Sequence, residues 1–139
     1  MNEKILIIDH EPDIRKDLET ILAKKGYQVM TASGSKAAIS VLKSEPLDLV
    51  IMDIRMPGMD GLEFMREVKK LGDDIEAIVL TGSVSFENAV KALRDDGAFD
   101  FLTKPLKNVD QLINSVKEAL QKQRLHKKKG VFQEVKTGK

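Results

Sequence analysis

The feature that most constrains the fold of this chain is the regular alternation of short apolar runs with amphipathic segments, which occurs five times. Short apolar runs bounded by turn residues are typical of buried strands, whereas apolar side chains at helical spacing predict helices that cover a sheet. Strands that alternate with helices in this way indicate a parallel sheet with helices on both faces. The predicted fold class is therefore α/β, a doubly wound sheet of five parallel strands. The predicted strands are residues 5–8, 27–31, 47–52, 77–80 and 99–102.

Residues that favour the ends of helices separate the apolar runs. Pro12 suits the first position of a helix, where its missing N–H is not needed. Ser33 or Ser35 is predicted to cap the second helix, and the fourth helix is predicted to bury Val90 and Leu93. Crossovers between consecutive parallel strands are right-handed, so the carboxyl ends of all five strands open on one edge of the sheet.

Composition limits the chain to one domain and excludes several functions. Its 139 residues, 42% of them hydrophobic, are enough for one core but not for two. No Cys is present, which excludes disulfides and thiol chemistry. The apolar runs are far shorter than the roughly 20 residues that span a bilayer, and the first residues lack a secretory signal, so we expect a cytoplasmic protein without a membrane-embedded role. A net charge of +1 gives no basic field that would favour nucleic acid.

Polar residues of three kinds follow four of the predicted strands. Asp9 follows the first strand, Asp53 the third, Thr81 the fourth and Lys104 the fifth. Ligands of open parallel sheets bind at the carboxyl ends of the strands, so these groups are predicted to meet in one crevice. Asp53 directly follows the most apolar run and is the first candidate for a reacting group. An Asp in this position can also be a simple turn former, and Lys104 a solvated loop residue.

Four blocks of sequence together carry a resemblance to a known family. The blocks are ILIID at 5–9, DIRMPGMDG at 53–61, LTG at 80–82 and GAFDFLTKP at 97–105. With these blocks in order, residues 3–123 resemble the receiver domain of bacterial two-component response regulators. The resemblance implies the (βα)5 flavodoxin-like receiver fold. It places a receiver domain at residues 1–123 and a basic, poorly ordered tail or linker at 124–139.

The resemblance implies that a sensor histidine kinase or a phosphotransfer protein passes a phosphoryl group to Asp53, which becomes an acyl phosphate. Lys104 would supply fixed positive charge. Thr81 would turn its hydroxyl toward the phosphoryl group, and Phe101 would rotate into the space that Thr81 leaves. This switch would change the face formed by the fourth helix, the last strand and the last helix, which would bind a downstream output domain or protein, or a second copy in a homodimer. The resemblance implies no enzyme activity beyond the domain's own phosphorylation and dephosphorylation.

The metal half of the implied site departs from the family pattern at His10. The family holds Mg²⁺ with acids after the first strand, the phosphoacceptor and a backbone carbonyl, which here correspond to Asp9, Asp53 and the carbonyl of Arg55. His10 stands where the family has the acid that ligates the ion directly, and Mg²⁺ prefers oxygen ligands. Three outcomes are open: Asp9 or Glu11 takes over the role, an ion that tolerates nitrogen such as Mn²⁺ or Zn²⁺ is preferred, or the domain works without metal, with a protonated His10 partly replacing the ion. We expect metal-assisted phosphorylation that is weakened but not abolished.

Three rival classes share parts of this pattern. A pseudo-receiver keeps the fold and loses phosphorylation, and His10 favours that alternative. A haloacid-dehalogenase-like phosphatase needs a second acid two residues after its nucleophile, where this chain has Arg55. An FMN-binding protein would place neutral residues and backbone donors after the first strand, where this chain is acidic. The sequence leaves open whether the chain is a free-standing receiver or a piece of a larger regulator, and nucleic-acid binding by this chain alone is not expected.

Overall fold

A computed structural model describes the chain at residues 3–56, 59–71, 74–82, 91–94, 97–104, 106 and 108–137. The strands are β1 (Lys4–Ile8), β2 (Gln28–Ala32), β3 (Leu49–Met52), β4 (Arg55–Met56), β5 (Met59–Asp60), β6 (Glu76–Thr81) and β7 (Asp100–Thr103). The helices are α1 (Pro12–Lys24), α2 (Ser35–Ser44), α3 (Gly61–Leu71), α4 (described at 91–94) and α5 (Val109–Thr137).

Five of the strands form one parallel sheet in the order β2-β1-β3-β6-β7. The chain moves outward from β1 to β2 and then returns to the other side of β1 with β3. The direction of winding therefore reverses between β1 and β3, which is the place where open α/β sheets bind their ligands. This topology confirms the predicted doubly wound fold class.

Successive side chains of the central strands pack against helices on opposite faces of the sheet. Ile5 and Ile7 of β1 belong to the cluster that includes buried residues of α1 and α5, whereas Leu6 and Ile8 belong to the cluster with buried residues of α2 and α3. The alternation follows from the two-residue period of a strand. Because both faces are covered, β1, β3 and β6 consist of near-continuous apolar sequence.

Two local predictions are wrong. In α4, Ala92 is buried and Leu93 is 41% exposed, because consecutive helical residues point about 100° apart and only one of them faces the sheet. The predicted partner Val90 lies outside the described residues. The N-cap of α2 is Gly34 in an extended conformation, without a side-chain hydrogen bond from Ser33 or Ser35.

The last helix continues beyond the predicted end of the receiver domain. α5 begins after Asn108, whose Oδ1 accepts the N–H of Asp110 at 2.9 Å as an N-cap does. Among the side chains that the structure describes, the last buried one is Gln123. The backbone is helical through Thr137, so the helix itself does not mark a boundary. The division into a domain at 1–123 and a tail at 124–139 stays a prediction.

None of the helices in the described part of the chain has the length and apolar character needed to cross a membrane.

Candidate functional site

The ends of β1 and β3 hold two carboxylates side by side. The backbone N–H of Asp9 donates to Ala32 at 3.1 Å, and that of Asp53 donates to Ile8 at 3.1 Å. Each aspartate therefore continues the sheet ladder by one residue before the chain turns into a loop. Both side chains are almost fully buried. The strand order thus explains how residues far apart in sequence bring two carboxylates to one crevice.

The side-chain amine of Lys104 lies among three carboxylates. Its Nζ is 2.6 Å from Oδ2 of Asp9, 3.0 Å from Oδ2 of Asp53 and 3.2 Å from Oε2 of Glu11. The backbone of Lys104 is fixed as well, because its N–H donates to the carbonyl of Thr81 at 3.0 Å. The crevice therefore combines negative charge with the positive charge of Lys104.

The carboxylates keep this amine protonated. Burial alone would lower the pKa of Lys104, but hydrogen bonds to Asp9 and Asp53 and the negative charges of these two residues outweigh it and raise the pKa above its usual range. A permanently charged ammonium is well suited to binding an anionic group that enters the crevice.

The second oxygen of each aspartate accepts a backbone N–H. Oδ1 of Asp9 accepts from Glu11 at 2.9 Å, and Oδ1 of Asp53 accepts from Arg55 at 2.8 Å. Bonds of this type, from a side chain to the backbone two residues on, form Asx turns that fix the loop after a strand. They orient the carboxylates and hold the first residue of the β4–β5 ribbon, Arg55, beside the site. The ribbon itself was not predicted.

Two residues that support these loops were not singled out from the sequence. The guanidinium of Arg15 donates to the carbonyl of Asp9 at 2.6 Å and so ties the first turn of α1 to the end of β1. The N–H of Gly61 donates to the carbonyl of Ile54 at 3.0 Å, and a Cβ on Gly61 would overlap the Ile54 backbone. Pro-Gly-Met-Asp-Gly after the strand was a signal for this tight approach, whereas nothing in the sequence indicated the bond of Arg15.

Among the residues that the structure describes, three side chains of the site could hold a metal ion. Asp9, His10 and Asp53 each offer one ligand atom, and these atoms lie within 4.8 Å of one another. Nδ1 of His10 is 3.9 Å from Oδ1 of Asp9, with the imidazole 46% exposed. The carboxylate of Glu11 contacts Lys104 instead. Two carboxylates fit a divalent cation such as Mg²⁺, whereas the imidazole fits an ion that also accepts nitrogen.

The hydroxyl of Thr81 is an unusual feature of the same edge. Its Oγ1 is buried and, among the residues that the structure describes, has no hydrogen-bond partner. Phe101 lies on the neighbouring strand β7, opposite Val79, and is half-buried against the cluster that contains side chains of α2 and α3. An unpaired buried hydroxyl costs free energy, so it is a candidate for a bond that forms only when a ligand is present.

The family assignment rests on the sequence from residue 5 to residue 117. This segment matches the family model of the response regulator receiver domain. The chain belongs to this family. The matched segment includes Asp9, Asp53, Thr81 and Lys104, the four residues at the strand ends. The match confirms the resemblance to receiver domains that the four sequence blocks indicated. The receiver domain is a signalling module.

Relatives of this receiver domain include proteins of very different length. The C4-dicarboxylate transport transcriptional regulatory protein DctD of Rhizobium meliloti is 37% identical over 121 residues, which are 87% of this chain and 26% of DctD. The sporulation initiation phosphotransferase F of Bacillus subtilis is 33% identical over 120 residues, which are 86% of this chain and 95% of that protein. The chain thus spans about a quarter of DctD and nearly all of the phosphotransferase.

Solved receiver structures superpose closely on the fold. NtrX from Brucella abortus has a TM-score of 0.87 at 32% identity, over 96% of this chain and 31% of that one. A response regulator receiver domain protein from Clostridium thermocellum has a TM-score of 0.81 at 33% identity, over 88% of this chain and 98% of that one.

Proposed function

We propose that this receiver domain accepts a phosphoryl group on Asp53 from a phosphorylated histidine of a sensor kinase or of a phosphotransfer protein. The observation that carries the proposal is the ammonium of Lys104, held 2.6 Å from Asp9 and 3.0 Å from Asp53 at the carboxyl edge of the sheet. Phosphoryl transfer needs little covalent help from a protein, because positioning and electrostatic stabilisation supply most of the catalysis. The crevice offers a nucleophile and a fixed cation within contact distance.

In the proposed step, an oxygen of Asp53 forms a bond to phosphorus as the bond from phosphorus to the donor's imidazole nitrogen breaks. The nitrogen keeps the electron pair of that bond, and the ring leaves as neutral imidazole when its other nitrogen is protonated. The product is an acyl phosphate on Asp53. Lys104 donates to the phosphoryl oxygens, which carry the negative charge.

A divalent cation bound by Asp9, Asp53 and the backbone carbonyl of Arg55 would add positive charge beside the phosphoryl oxygens. The Asx turns at Asp9 and Asp53 support this role, because they fix both carboxylates and hold the loop that carries Arg55. His10 or Glu11 would be the further ligand.

Thr81 and Phe101 would convert phosphorylation into a change of surface. The unpaired hydroxyl of Thr81 gains an acceptor when phosphoryl oxygens arrive, and its movement leaves room for the ring of Phe101. A swing of the two-state equilibrium from 1:99 to 99:1 needs about 5.5 kcal/mol of differential stabilisation. Several charge-assisted hydrogen bonds to one phosphoryl group supply free energy of that order.

The altered face of α4, β7 and α5 would then bind an output. In a relative such as DctD, whose name describes a transcriptional regulator, receiver sequence forms about a quarter of the protein. In the sporulation initiation phosphotransferase F it forms nearly all of it. Both arrangements suit this chain: an output domain joined to it, or a separate protein, a second copy included, that recognises the phosphorylated face.

The proposal is tested by incubating the chain with a small acyl-phosphate donor and a divalent cation and reading the mass of the intact protein. We expect one added phosphoryl group in the wild type and none in Asp53→Ala. Asp17→Ala changes an exposed aspartate of α1 and serves as the matched control, which is expected to be phosphorylated. Incorporation that persists in Asp53→Ala sinks the proposal.

His10 favours a second candidate, a pseudo-receiver that binds partners without phosphorylation. The imidazole stands in the metal cluster where the family has an acid. The same measurement of protein mass distinguishes the two functions. A wild type that takes up no phosphoryl group with Mg²⁺, Mn²⁺ or Zn²⁺, together with uptake by His10→Asp, identifies the pseudo-receiver.

A further inference from the structure

We propose that the metal site beside Asp53 selects a divalent first-row transition-metal ion over Mg²⁺ and that the imidazole of His10 sets this preference. The inference deepens the proposed function and rests on it for the position of the ion. It concerns the identity of the ion, which is decided by the ligand atoms of this chain.

The three donor atoms already have nearly the spacing of a first coordination shell. Ligand atoms of Asp9, His10 and Asp53 lie within 4.8 Å of one another. Ligands on opposite sides of an ion with bonds of about 2.1 Å are about 4.2 Å apart, and neighbouring ligands are closer. The 3.9 Å between Nδ1 of His10 and Oδ1 of Asp9 falls inside that range. The ligand atoms need to approach one another by only a few tenths of an ångström. The half-exposed imidazole of His10 has room to move by that amount.

The contacts of Lys104 leave one side of each aspartate for the ion. The amine of Lys104 contacts Oδ2 of Asp9 and Oδ2 of Asp53. Each Oδ1 accepts one backbone N–H, and a carboxylate oxygen has two acceptor positions, so both Oδ1 atoms keep capacity for a metal. Glu11 is the alternative third ligand, but its carboxylate lies 3.2 Å from the amine of Lys104. Glu11 is also absent from the group of side chains whose ligand atoms lie within 4.8 Å of one another, so the imidazole of His10 is the third side-chain donor, beside the backbone carbonyl of Arg55.

A donor set of two carboxylates and one imidazole favours transition-metal ions for two reasons. A neutral nitrogen replaces a charged oxygen, which removes attraction for a hard ion such as Mg²⁺. The same nitrogen is a good ligand for Zn²⁺, Ni²⁺ and Fe²⁺, whose affinities for nitrogen-containing sites exceed those of alkaline-earth ions. The ammonium of Lys104, close to both carboxylates, repels every divalent ion alike and does not change the preference. The nitrogen ligand therefore lowers the affinity for Mg²⁺ and largely keeps the affinity for a transition-metal ion.

The test is direct metal binding by the unphosphorylated chain, measured by calorimetric titration with Mg²⁺, Mn²⁺ and Zn²⁺. The measured quantity is the ratio of the Mg²⁺ dissociation constant to that of each transition-metal ion. We expect His10→Asp to lower this ratio by at least about tenfold, the low end of what altering the surroundings of a bound metal costs. His10→Ala is expected to weaken Zn²⁺ binding, because Zn²⁺ accepts nitrogen ligands well, and to leave Mg²⁺ binding nearly unchanged.

A matched control and a second readout come from the histidine count. The chain has two histidines, His10 and His126, so His126→Gln removes the other imidazole and is expected to keep the wild-type ratio. In proton NMR spectra of the wild type, substoichiometric Mn²⁺ is expected to broaden the ring signals of His10 before those of His126. The NMR experiment needs no variant at position 10 and therefore does not depend on how such a variant folds.

Three results overturn the inference: a wild type that binds Mg²⁺ as tightly as Zn²⁺, a ratio in His10→Asp equal to that of the wild type, or Zn²⁺ binding to His10→Ala as tight as to the wild type. Neither measurement involves phosphoryl transfer. A chain that binds ions as expected but is not phosphorylated at Asp53 contradicts only the proposed function. A chain that is phosphorylated at Asp53 and prefers Mg²⁺ contradicts only the choice of ion.

Discussion

The amine of Lys104 lies 3.0 Å from the carboxylate of Asp53, although the two residues are 51 positions apart in the sequence. Their strands are not neighbours in the sheet, because β6 lies between β3 and β7. The side chain of Lys104 therefore extends across the end of β6, the strand that carries Thr81. One lysine thus joins the site from the far side of the strand that holds the proposed switch hydroxyl.

Replacing Lys104 by Ala is expected to slow phosphorylation of Asp53 by about 10²-fold or more. The substitution removes a preorganised donor aimed at the developing charge, and the loss of one such group costs about this factor. Lys104→Arg keeps the charge but not the compact ammonium, and an intermediate rate is expected. The measurement is the rate of mass increase with a small acyl-phosphate donor.

The matched control for this prediction is Lys122→Ala, which removes an exposed lysine on α5 that lies 3.8 Å from Glu76 and far from the crevice in the fold. Its phosphorylation rate is expected to equal that of the wild type. Equal rates for Lys104→Ala and Lys122→Ala contradict a role of the Lys104 ammonium in the transfer.

The charge state of Lys104 makes a separate prediction for pH. Its pKa is raised in the folded chain, so the charge contributes its full stabilisation below the unfolded lysine pKa of about 10.4 and loses it only as pH rises through the higher folded pKa. The difference in unfolding free energy between wild type and Lys104→Met is therefore expected to be constant from about pH 7 to pH 9. The Cε carbon signal of Lys104 in NMR spectra is expected to titrate above those of the exposed lysines; titration at or below them contradicts the arrangement.

The sequence predicted the parts of this fold and site that depend on periodicity and strand order. Apolar runs gave all five strands of the sheet to within about two residues at each end. Residues at the carboxyl ends of parallel strands share one edge, so the meeting of Asp53, Lys104 and Asp9 followed without knowledge of any side-chain position.

The remaining features depend on side-chain geometry or on small differences in helix phase. The bond from Arg15 to the Asp9 carbonyl requires one particular side-chain conformation, which sequence spacing does not specify. The choice between Ala92 and Leu93 as the buried residue of α4 turns on about a quarter of a helical turn. Side-chain size favours Leu93 over Ala92 as the buried residue, but the smaller Ala92 is the one that packs in the core cluster shared with the sheet.

Gly61→Ala is expected to destabilise the fold by about 2 kcal/mol or more. A Cβ at this position would overlap the backbone of Ile54, which cannot give way as a flexible side chain can. The loop from Asp53 to Arg55 would shift, so slower phosphorylation is expected together with the loss of stability. Gly34→Ser is the control: nothing lies within 4 Å of its Cβ, and Ser at the N-cap of α2 is expected to leave stability equal or higher. Equal unfolding free energies for Gly61→Ala and wild type contradict the close approach.

A partly buried hydrogen bond at the other end of the sheet tests where the domain ends. Nε2 of Gln123 donates to Oδ1 of Asp48 at 2.9 Å, and Oδ2 of the same aspartate accepts the backbone N–H of Lys4. Gln123→Ala is expected to lower the free energy of unfolding by about 1–3 kcal/mol, because a charged, partly buried carboxylate loses a donor. The exposed neighbour Gln121 gives the control variant Gln121→Ala, expected within about 0.5 kcal/mol of wild type.

Truncated chains that keep or lose the Gln123–Asp48 hydrogen bond test the boundary between domain and tail. A chain that ends after Leu125 keeps the Gln123 contact and is expected to unfold with nearly the free energy of the full chain. A chain that ends after Leu120 loses it and is expected to be clearly less stable. Loss of stability on removing residues 126–139 alone contradicts the boundary predicted at residue 123.

Thr81→Val is expected to have opposite effects on the resting and the phosphorylated receiver. In the resting state the Oγ1 of Thr81 is buried and, within the described part of the chain, unpaired, so an apolar group of similar shape is expected to raise the free energy of unfolding by about 1 kcal/mol. In the phosphorylated state the hydroxyl gains phosphoryl oxygens as acceptors, and the same substitution removes that bond.

Urea unfolding of each form, with the phosphorylated form generated by the acyl-phosphate donor, measures the two effects separately. Thr81→Ser, which keeps the hydroxyl, is the control and is expected to retain the gain in stability on phosphorylation. A loss of stability of the same size in both forms of Thr81→Val contradicts the switch role. With the expected signs, the unsatisfied hydroxyl destabilises the resting state and stabilises the phosphorylated one, so a single side chain shifts the equilibrium between the two states in the direction that signalling requires.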